Sequence, residues 1–530
     1  MSLKIWEMNN MKCNTFINTS ACLIFLSGLL ALPAQAMVVS SSMVQLTDAQ
    51  DPNTGPIVDS SYPDISADGT TVVFYSNADL VTGENTSNVD TIFIIKSDGN
   101  DLRQLTSATE GDSRNPRLSA DGRIVVFESS ADLIPGENPS ETVIHEPGTP
   151  FEWIEVVRYS QIFIMNTDGS GLRQLTDGTG GDSQNPDITD DGNTVVFQSS
   201  QDLLSENADN TIELFVVNAN GTGLMQITVG APKPVGANKR DDASRDPAIS
   251  ADGSKIAFDS FVDLTPPLND DLSDEIFVFD LTGYLANGGE RTAYTQQLTD
   301  TDIDHPDHIR AEDAFEASIS ADGIWIAFAA CINPLGTNPT LADAIFVVKS
   351  DGTNLTQLTF VDDINHDARL PSISADGTAV MFTARADLVA GNNLDLGFEL
   401  FASSADGAWL AQVTDDSVQK SGRIRTRISA DGTQVIYHST ADFTGGNADG
   451  NKEIFLQSIV LPVANVPASA GGGNTDDDAA AVGASTDDVT TSDGTGAFAF
   501  IDLLMIIIAL AGLTLRNVFS NQQSAAKRWL

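Results

Sequence analysis

The sequence predicts an all-β chain: a seven-bladed β-propeller closed by an N-terminal strand, with a C-terminal transmembrane helix behind it. Three observations predict this. A Ser-Ala-Asp-Gly phrase, or a near variant, occurs seven times, with its Asp-Gly at residues 68–69, 121–122, 191–192, 252–253, 322–323, 376–377 and 431–432. A Gln-Leu-Thr phrase, or a near variant, also occurs seven times, ending at Thr47, Thr106, Thr176, Thr228, Thr299, Thr359 and Thr414. Repeats of about 50 to 70 residues mean stacked supersecondary units. Finally, the two series are out of step. The chain opens with an orphan Val44-Gln45-Leu46-Thr47 and closes on a unit that lacks this strand.

The first unit shows what each repeat builds. Pro63-Asp64-Ile65-Ser66 is extended and leads into Asp68-Gly69, a hairpin turn whose glycine accepts the positive φ required. Thr71-Val72-Val73-Phe74 and Thr91-Ile92-Phe93-Ile94-Ile95 read as the second and third strands, and Ser97-Asp98-Gly99 turns into Leu102-Arg103-Gln104-Leu105-Thr106. The strands are β-branched and aromatic, without clean alternation, so both sheet faces are expected to be covered. Four-stranded sheets packed between neighbours are propeller blades. The orphan strand supplies the outermost strand of the last blade, which removes two exposed sheet edges. No helical period competes inside the repeats.

These residues resemble the TolB-type, WD-repeat-like β-propeller family, whose repeat runs Pro-x-x-Ser-Pro/Ala-Asp-Gly, an apolar strand, an acidic-Ile-Phe/Tyr strand and Leu-Thr. The resemblance covers residues 43–460. It is not a resemblance to TolB itself, because no separate domain is read before the propeller and the blade count is seven.

The flanking segments speak of compartment. Residues 1–36 read as a secretory signal, with Lys4 and Lys12, an apolar run over residues 21–32, and Ala34-Gln35-Ala36 as cleavage site; an uncleaved anchor is the alternative. Cys13 and Cys22 leave with the signal, so the mature chain keeps one cysteine, Cys331, and no internal disulfide is expected. Residues 461–496 form an acidic Gly/Ala/Ser/Asp linker. Residues 497–515 are apolar over a bilayer's length, and residues 516–530, with Arg516, Lys527 and Arg528, are a short basic tail expected in the cytoplasm. The same tail resembles bacterial sorting signals of the glycine-glycine, rhomboid-sortase type, so a permanent anchor and a processed tail both stand. Either places the propeller in the periplasm or on the cell surface.

The whole chain carries −47, and the stretch between these ends −50, because the ends hold five of the 27 basic residues and two of the 74 acidic ones. Such a surface excludes nucleic acid as a partner.

Tight turns join strands one to two and three to four, so the long connections share the opposite face. Insertions at residues 136–158, 229–246 and 300–315 fall there, where function concentrates. Another, at residues 281–294, lies on the other face. Arg114, Arg245 and Arg369 each stand five residues before the Ser of their repeat, with Arg423 and Arg425 near that register. A guanidinium ring at the channel mouth suits a carboxylate or acidic sugar. Ion pairing with the recurrent Asp79, Asp132, Asp202, Asp263 and Asp387 is the structural alternative. Asn447, Asp449, Asn451 and Glu453 are spaced two apart, as in a loop that wraps Ca2+, and Asn207, Asp209 and Asn210 are a looser version. His305, His308 and His366, with Asp304 and Asp307, are a candidate transition-metal set. Resemblance to propeller lyases such as oligogalacturonate lyase implies that such a set would be catalytic. No Gly-x-Ser-x-Gly nucleophile elbow is present.

The leading expectation is a non-enzymatic binding or scaffold propeller at the cell envelope, requiring no cofactor, with Ca2+ as a candidate bound ion. It recognises an envelope protein, peptide or glycan through its long-loop face. A metal-dependent polysaccharide lyase or hydrolase and a structural envelope component are the alternatives.

Overall fold

A computed structural model describes residues 34–35, 39–49, 58–138, 140–145, 153–230, 243–266, 273–300, 313–361, 363, 365–416 and 424–461. The chain divides into two units, Met1–Asn465 and Val466–Leu530. The linker, the apolar segment at residues 497–515 and the basic tail lie outside the described residues. Among the described residues no helix is long and apolar enough to cross a membrane.

The first unit is a seven-bladed propeller of antiparallel sheets. Blade one comprises Ser60–Ile65, Thr71–Ser76, Thr91–Lys96 and Arg103–Gln104, from the channel outwards, and blades two to six repeat this order. Blade seven draws Thr426–Ile428, Gln434–Ser439 and Glu453–Val460 from the end of the propeller and Val39–Gln45 from its beginning. The expected closure is therefore present, antiparallel, from Val39 opposite Val460 to Gln45 opposite Phe455. A two-residue strand, Ala34–Gln35, also adds to blade six, parallel to Trp409–Gln412.

Each repeated phrase has a mechanical reason. In blade one the Ser66 hydroxyl donates to Asp68 at 2.6 Å and accepts from the Thr71 N–H, while Gly69 takes φ 69°. The same Ser/Thr–Asp lock recurs at all seven turns. The threonine of Gln-Leu-Thr accepts a third-strand N–H in every blade, from Ile92 onto Thr106 to Ile454 onto Thr47. Apolar strands two and three place stacked aromatics opposite one another, from Phe74–Phe93 to Tyr437–Phe455, with centroids 5.7 to 5.9 Å apart. The core lies between blades. Ile436, Ile454 and Leu456 of blade seven, with Leu46, pack on Ile65, Val72 and Phe93 of blade one.

Two elements depart from the sequence reading. The insertion after the third strand of blade four contains a helix, Leu281–Asn287, and a 3-10 turn, Arg291–Tyr294. Asp280 caps the helix by accepting from the Gly283 N–H, Leu281 is buried, and Tyr284 packs edge-on against Phe279 and Tyr294. Two turns are too short to display a period. On the opposite face, the insertion in blade two contains a hairpin of Glu141–His145 and Trp153–Val157.

Candidate functional site

The seven innermost strands surround a channel of about 290 Å³. Their channel-facing edges have no further strand to pair with, so their N–H groups need other acceptors. At the Asp-Gly-turn end this need is met by backbone. The N–H of Ala67 donates to Ala120 O, Ala120 to Asp190, Asp190 to Ala251, Ala251 to Ala321 and Ala321 to Ala375, all at 3.0 to 3.1 Å. Small residues dominate there because the backbones of neighbouring blades approach to hydrogen-bonding distance.

The long-loop end is built differently. The innermost strands of blades one to six each carry a β-bulge, with Tyr62, Asn115, Asn185, Asp246, Glu316 and Leu370 at φ between 48° and 60°. Bulges re-aim side chains, and a non-glycine residue at positive φ is held only by its surroundings. Here the bulge N–H is gripped by the preceding blade. Tyr62 donates to His438 Nδ1 at 3.2 Å, Asn185 to Glu128 at 2.7 Å, Asp246 to Gln198 at 2.9 Å and Leu370 to Glu316 at 2.7 Å. The next residue is proline in blades one to four and six, which removes another donor from the edge. Three of the bulge side chains are linked along the mouth: Asn115 Nδ2 donates to Asn185 Oδ1 at 2.9 Å, and Asn185 Nδ2 to Asp246 Oδ1 at 2.6 Å. Burial raises the carboxyls of Glu128 and Glu316 above the ordinary range.

Deeper in the channel, the position after the proline reads Asp64, Arg117, Asp187, Ala248, Ser318, Ser372 and Arg427 around the ring. Four neighbouring blades thus present Arg427, Asp64, Arg117 and Asp187, while the other three present small side chains. Arg427 Nε lies 3.9 Å from Asp64 and Arg117 Nε 3.8 Å from Asp187. Burial, reinforced by the nearby Arg117, pushes the Arg427 guanidinium down to about 9. Burial likewise raises Asp187 in spite of Arg117.

The arginines singled out by sequence fall mostly elsewhere. Arg114 pairs with Asp90 at 2.5 Å and Asp112 at 2.9 Å. Arg245 is clamped by Asp259 at 2.8 Å and by Asp274, and lies 4.6 Å from the Phe261 ring centroid. Burial opposes its charge, but Asp259 and Asp274 outweigh it and hold its pKa above the ordinary value. Burial pushes Asp259 up to about 7. Arg369 binds Asp343 and lies 4.6 Å from the Phe315 ring centroid. These arginines are therefore ion-paired, but not to the aspartates expected. Their principal partners, Asp90, Asp274 and Asp343, stand just before the third strands. Asp79, Asp132, Asp202 and Asp387 instead fold their own loops: Asp79 accepts the N–H groups of Gly83, Glu84 and Asn85, and Asp387 those of Gly391, Asn392 and Asn393. Asp132 accepts from Gly136 and Asn138, and Asp202 from Asn207. Of the four of these arginines among the described residues, Arg425 alone lines the channel, its guanidinium 4.4 Å from the Tyr62 ring centroid. Arg423 lies outside the described residues.

In the candidate Ca2+ loop the amide nitrogens of Asn447 and Asn451 and both Glu453 oxygens are bonded to the fold, while Asn447 Oδ1 and Asn451 Oδ1 are buried without a hydrogen-bond partner among the described residues. Asn447 Nδ2 donates to the carbonyls of Ala441 at 3.3 Å and Asn451 at 2.9 Å, a lock shared with Asn85, Asn138, Asn207, Asn338 and Asn393. Asn451 donates to Ala49 O, and both Glu453 oxygens accept from the closing segment, one from Thr47 and one from the Ala49 N–H. Asp209 accepts from Thr211, and the Asn210 amide donates to Ser200 O. Among the described residues no group of three or more His, Cys, Asp and Glu is placed to hold a metal. His305 and His308 lie outside the described residues, and the His366 N–H donates to Asp363 O.

Sequence reasoning missed Arg117 and Arg427, although a signal existed. Within a strand whose neighbours repeat, this one column varies most in charge.

No protein-family model and no curated protein sequence matches the chain. Solved structures do. TolB from Acinetobacter baumannii matches with a TM-score of 0.35 at 16% identity, over 65% of this chain and 63% of that one. The chain thus spans less than two thirds of that structure's length. Oligogalacturonate lyase from Vibrio parahaemolyticus matches with a TM-score of 0.48 at 10% identity, over 80% of this chain and 98% of that one. A puromycin-hydrolyzing peptidase from Mycobacterium tuberculosis matches with a TM-score of 0.44 at 12% identity, over 79% and 56%. The likeness is one of fold alone.

Proposed function

We propose that this propeller is a binding module without chemistry of its own, held outside the cytoplasm at the cell envelope, and that it engages an envelope protein, peptide or glycan through its long-loop end. The observation that carries the reading is the difference between the two channel ends. One end is drawn together by backbone bonds among mostly small residues; the other is lined by bulge side chains, of which Asn115, Asn185 and Asp246 are joined by hydrogen bonds. Rigid, pre-formed concavities with few convergent polar groups are where ligands bind. The extracytoplasmic placement is supported by the N-terminal signal-like segment and the apolar C-terminal span of the sequence.

The test uses peptide and glycan arrays with the purified chain and with Ala248→Trp, which places an indole in the channel. The wild type is expected to bind saturably and leave the bound compound unchanged, while the variant loses the signal. Turnover of the compound, or equal binding by the variant, overturns the reading. Placement is tested separately in spheroplasts, where added protease is expected to cleave the propeller without lysis. Cleavage only after lysis refutes it.

A further inference from the structure

The position after the proline column has two incompatible uses around the ring. In blades one, three and five it accepts an N–H from the next blade. Leu118 donates to Asp64 at 2.8 Å, Ile249 to Asp187 at 3.0 Å and Ile373 to Ser318 at 3.2 Å. In blades seven and two the same position is Arg427 and Arg117, and a guanidinium has donors only. The N–H groups of Ile65 and Ile188, in the register of Leu118 and Ile249, therefore meet a donor on the preceding blade. Neither arginine compensates elsewhere. Arg117 makes no hydrogen bond to a described residue, and Arg427 gives one, to Thr426 O at 3.2 Å. Their carboxylate neighbours stand back at 3.8 and 3.9 Å, each with its other oxygen held by the framework. One half of the channel thus holds an excess of donors, and the facing half, Ala248, Ser318 and Ser372, leaves room beside them.

Resting on the reading of the long-loop end as a ligand mouth, we infer that the channel takes a ligand bearing a carboxylate and seats that carboxylate between Arg117 and Arg427. A carboxylate supplies the missing acceptors and matches the guanidinium fork. Asp64 and Asp187 set a limit on charge. They balance the two arginines, so a monoanion adds one negative charge, whereas a phosphate dianion adds two in a confined space where unpaired charge is costly. The acidic surface works against capture of anions from afar, but screening over about 8 Å at physiological salt leaves recognition to the channel itself.

Calorimetric titration of the purified chain tests this with four probes: N-acetyl-Ala-Ala as free acid and as amide, and galacturonate against galactose. At least one free acid is expected to bind ten-fold or more tightly than its neutral counterpart, and inorganic phosphate more weakly than that acid. The acid that binds identifies a peptide end or an acidic sugar as the source. Arg117→Gln and Arg427→Gln are each expected to weaken binding ten-fold or more, while Arg173→Gln, on the outer strand of blade two, leaves it unchanged. Should a Gln variant melt early, the arginine Nε–H resonances of the wild type replace it as readout and are expected to shift on titration with the acid. Equal binding of acid and neutral probes, undiminished binding by both variants, or no binding of either acid overturns the inference. Array binding that Ala248→Trp abolishes, without preference for carboxylates, overturns this inference alone and leaves the binding module standing.

Discussion

Replacing Glu453 by Gln probes the joint that closes the ring. The carboxylate accepts from the Thr47 hydroxyl and, at 2.7 Å, from the Ala49 N–H, and so ties blade seven to a segment about 400 residues earlier in the chain. Burial pushes its pKa from the ordinary 4.5 up to about 7, against the lowering effect of those two donors. A carboxyl raised in the folded state binds its proton more tightly there than in the unfolded chain. Its contribution to stability is thus full below about 4.5 and is lost as pH rises through about 7. That interval corresponds to roughly 3 kcal/mol. Glu213 and Glu399 are raised to about 7 by burial in the same way and keep their own contributions in the variant. Gln mimics the protonated acid and cannot ionise; in blade two, Gln161 already accepts the matching threonine hydroxyl, of Thr176, at 2.7 Å. Urea denaturation at pH 5 and pH 8 is therefore expected to show a smaller loss of stability with rising pH in Glu453→Gln than in the wild type, by about 2 to 3 kcal/mol. Parallel pH dependences refute the reasoning. A variant that is weaker at pH 8 than at pH 5, relative to wild type, shows the ionised form to be the stabilising one.

Deleting residues 39–47 is expected to lower the melting temperature by several degrees, because it removes a strand ladder and the burial of Leu46, worth roughly 2 kcal/mol; an unchanged melt refutes the closure. Arg369→Leu leaves Asp343 buried without its cation and is expected to cost about 3 to 5 kcal/mol, whereas Arg114→Leu, at a half-exposed pair, costs about 1 kcal/mol or less. Equal losses in denaturation experiments contradict this ranking. Asn447→Ala removes two bonds to buried carbonyls and is expected to cost about 1 to 3 kcal/mol, equally in Ca2+ and in chelator; a larger loss in Ca2+-containing buffer than in chelator identifies the loop as a metal site.

The blades were legible because their signals are local and repeated. Asp68-Gly69 and its six counterparts announce turns through glycine's conformational freedom, and the orphan Gln45-Leu46-Thr47 announces closure by simple bookkeeping of strands. The channel was not legible for a physical reason. A bulge at Tyr62, Asn115 or Leu370 inserts one residue into the strand, so alternation counted from the turn no longer says which side chain meets the channel. Attention therefore went to Arg114, Arg245 and Arg369, three residues too early, and passed over Arg117 and Arg427. The Asn447 to Glu453 spacing does not by itself separate two uses, because the amide nitrogens of such an oxygen-rich loop also satisfy backbone carbonyls. The helix at Leu281–Asn287 escaped because its stability comes from a cap and three aromatic rings, not from a periodic face.

The closing joint has a mechanical consequence. The chain leaves the propeller from Glu453–Val460, a strand flanked on one side by Val39–Gln45 and on the other by Gln434–Ser439. A pull applied along that exit does not peel a free edge one bond at a time. It loads two ladders together in shear, and the Thr47–Glu453 clasp shares the load. Tension on that exit therefore enters the ring through both ends of the propeller chain at once.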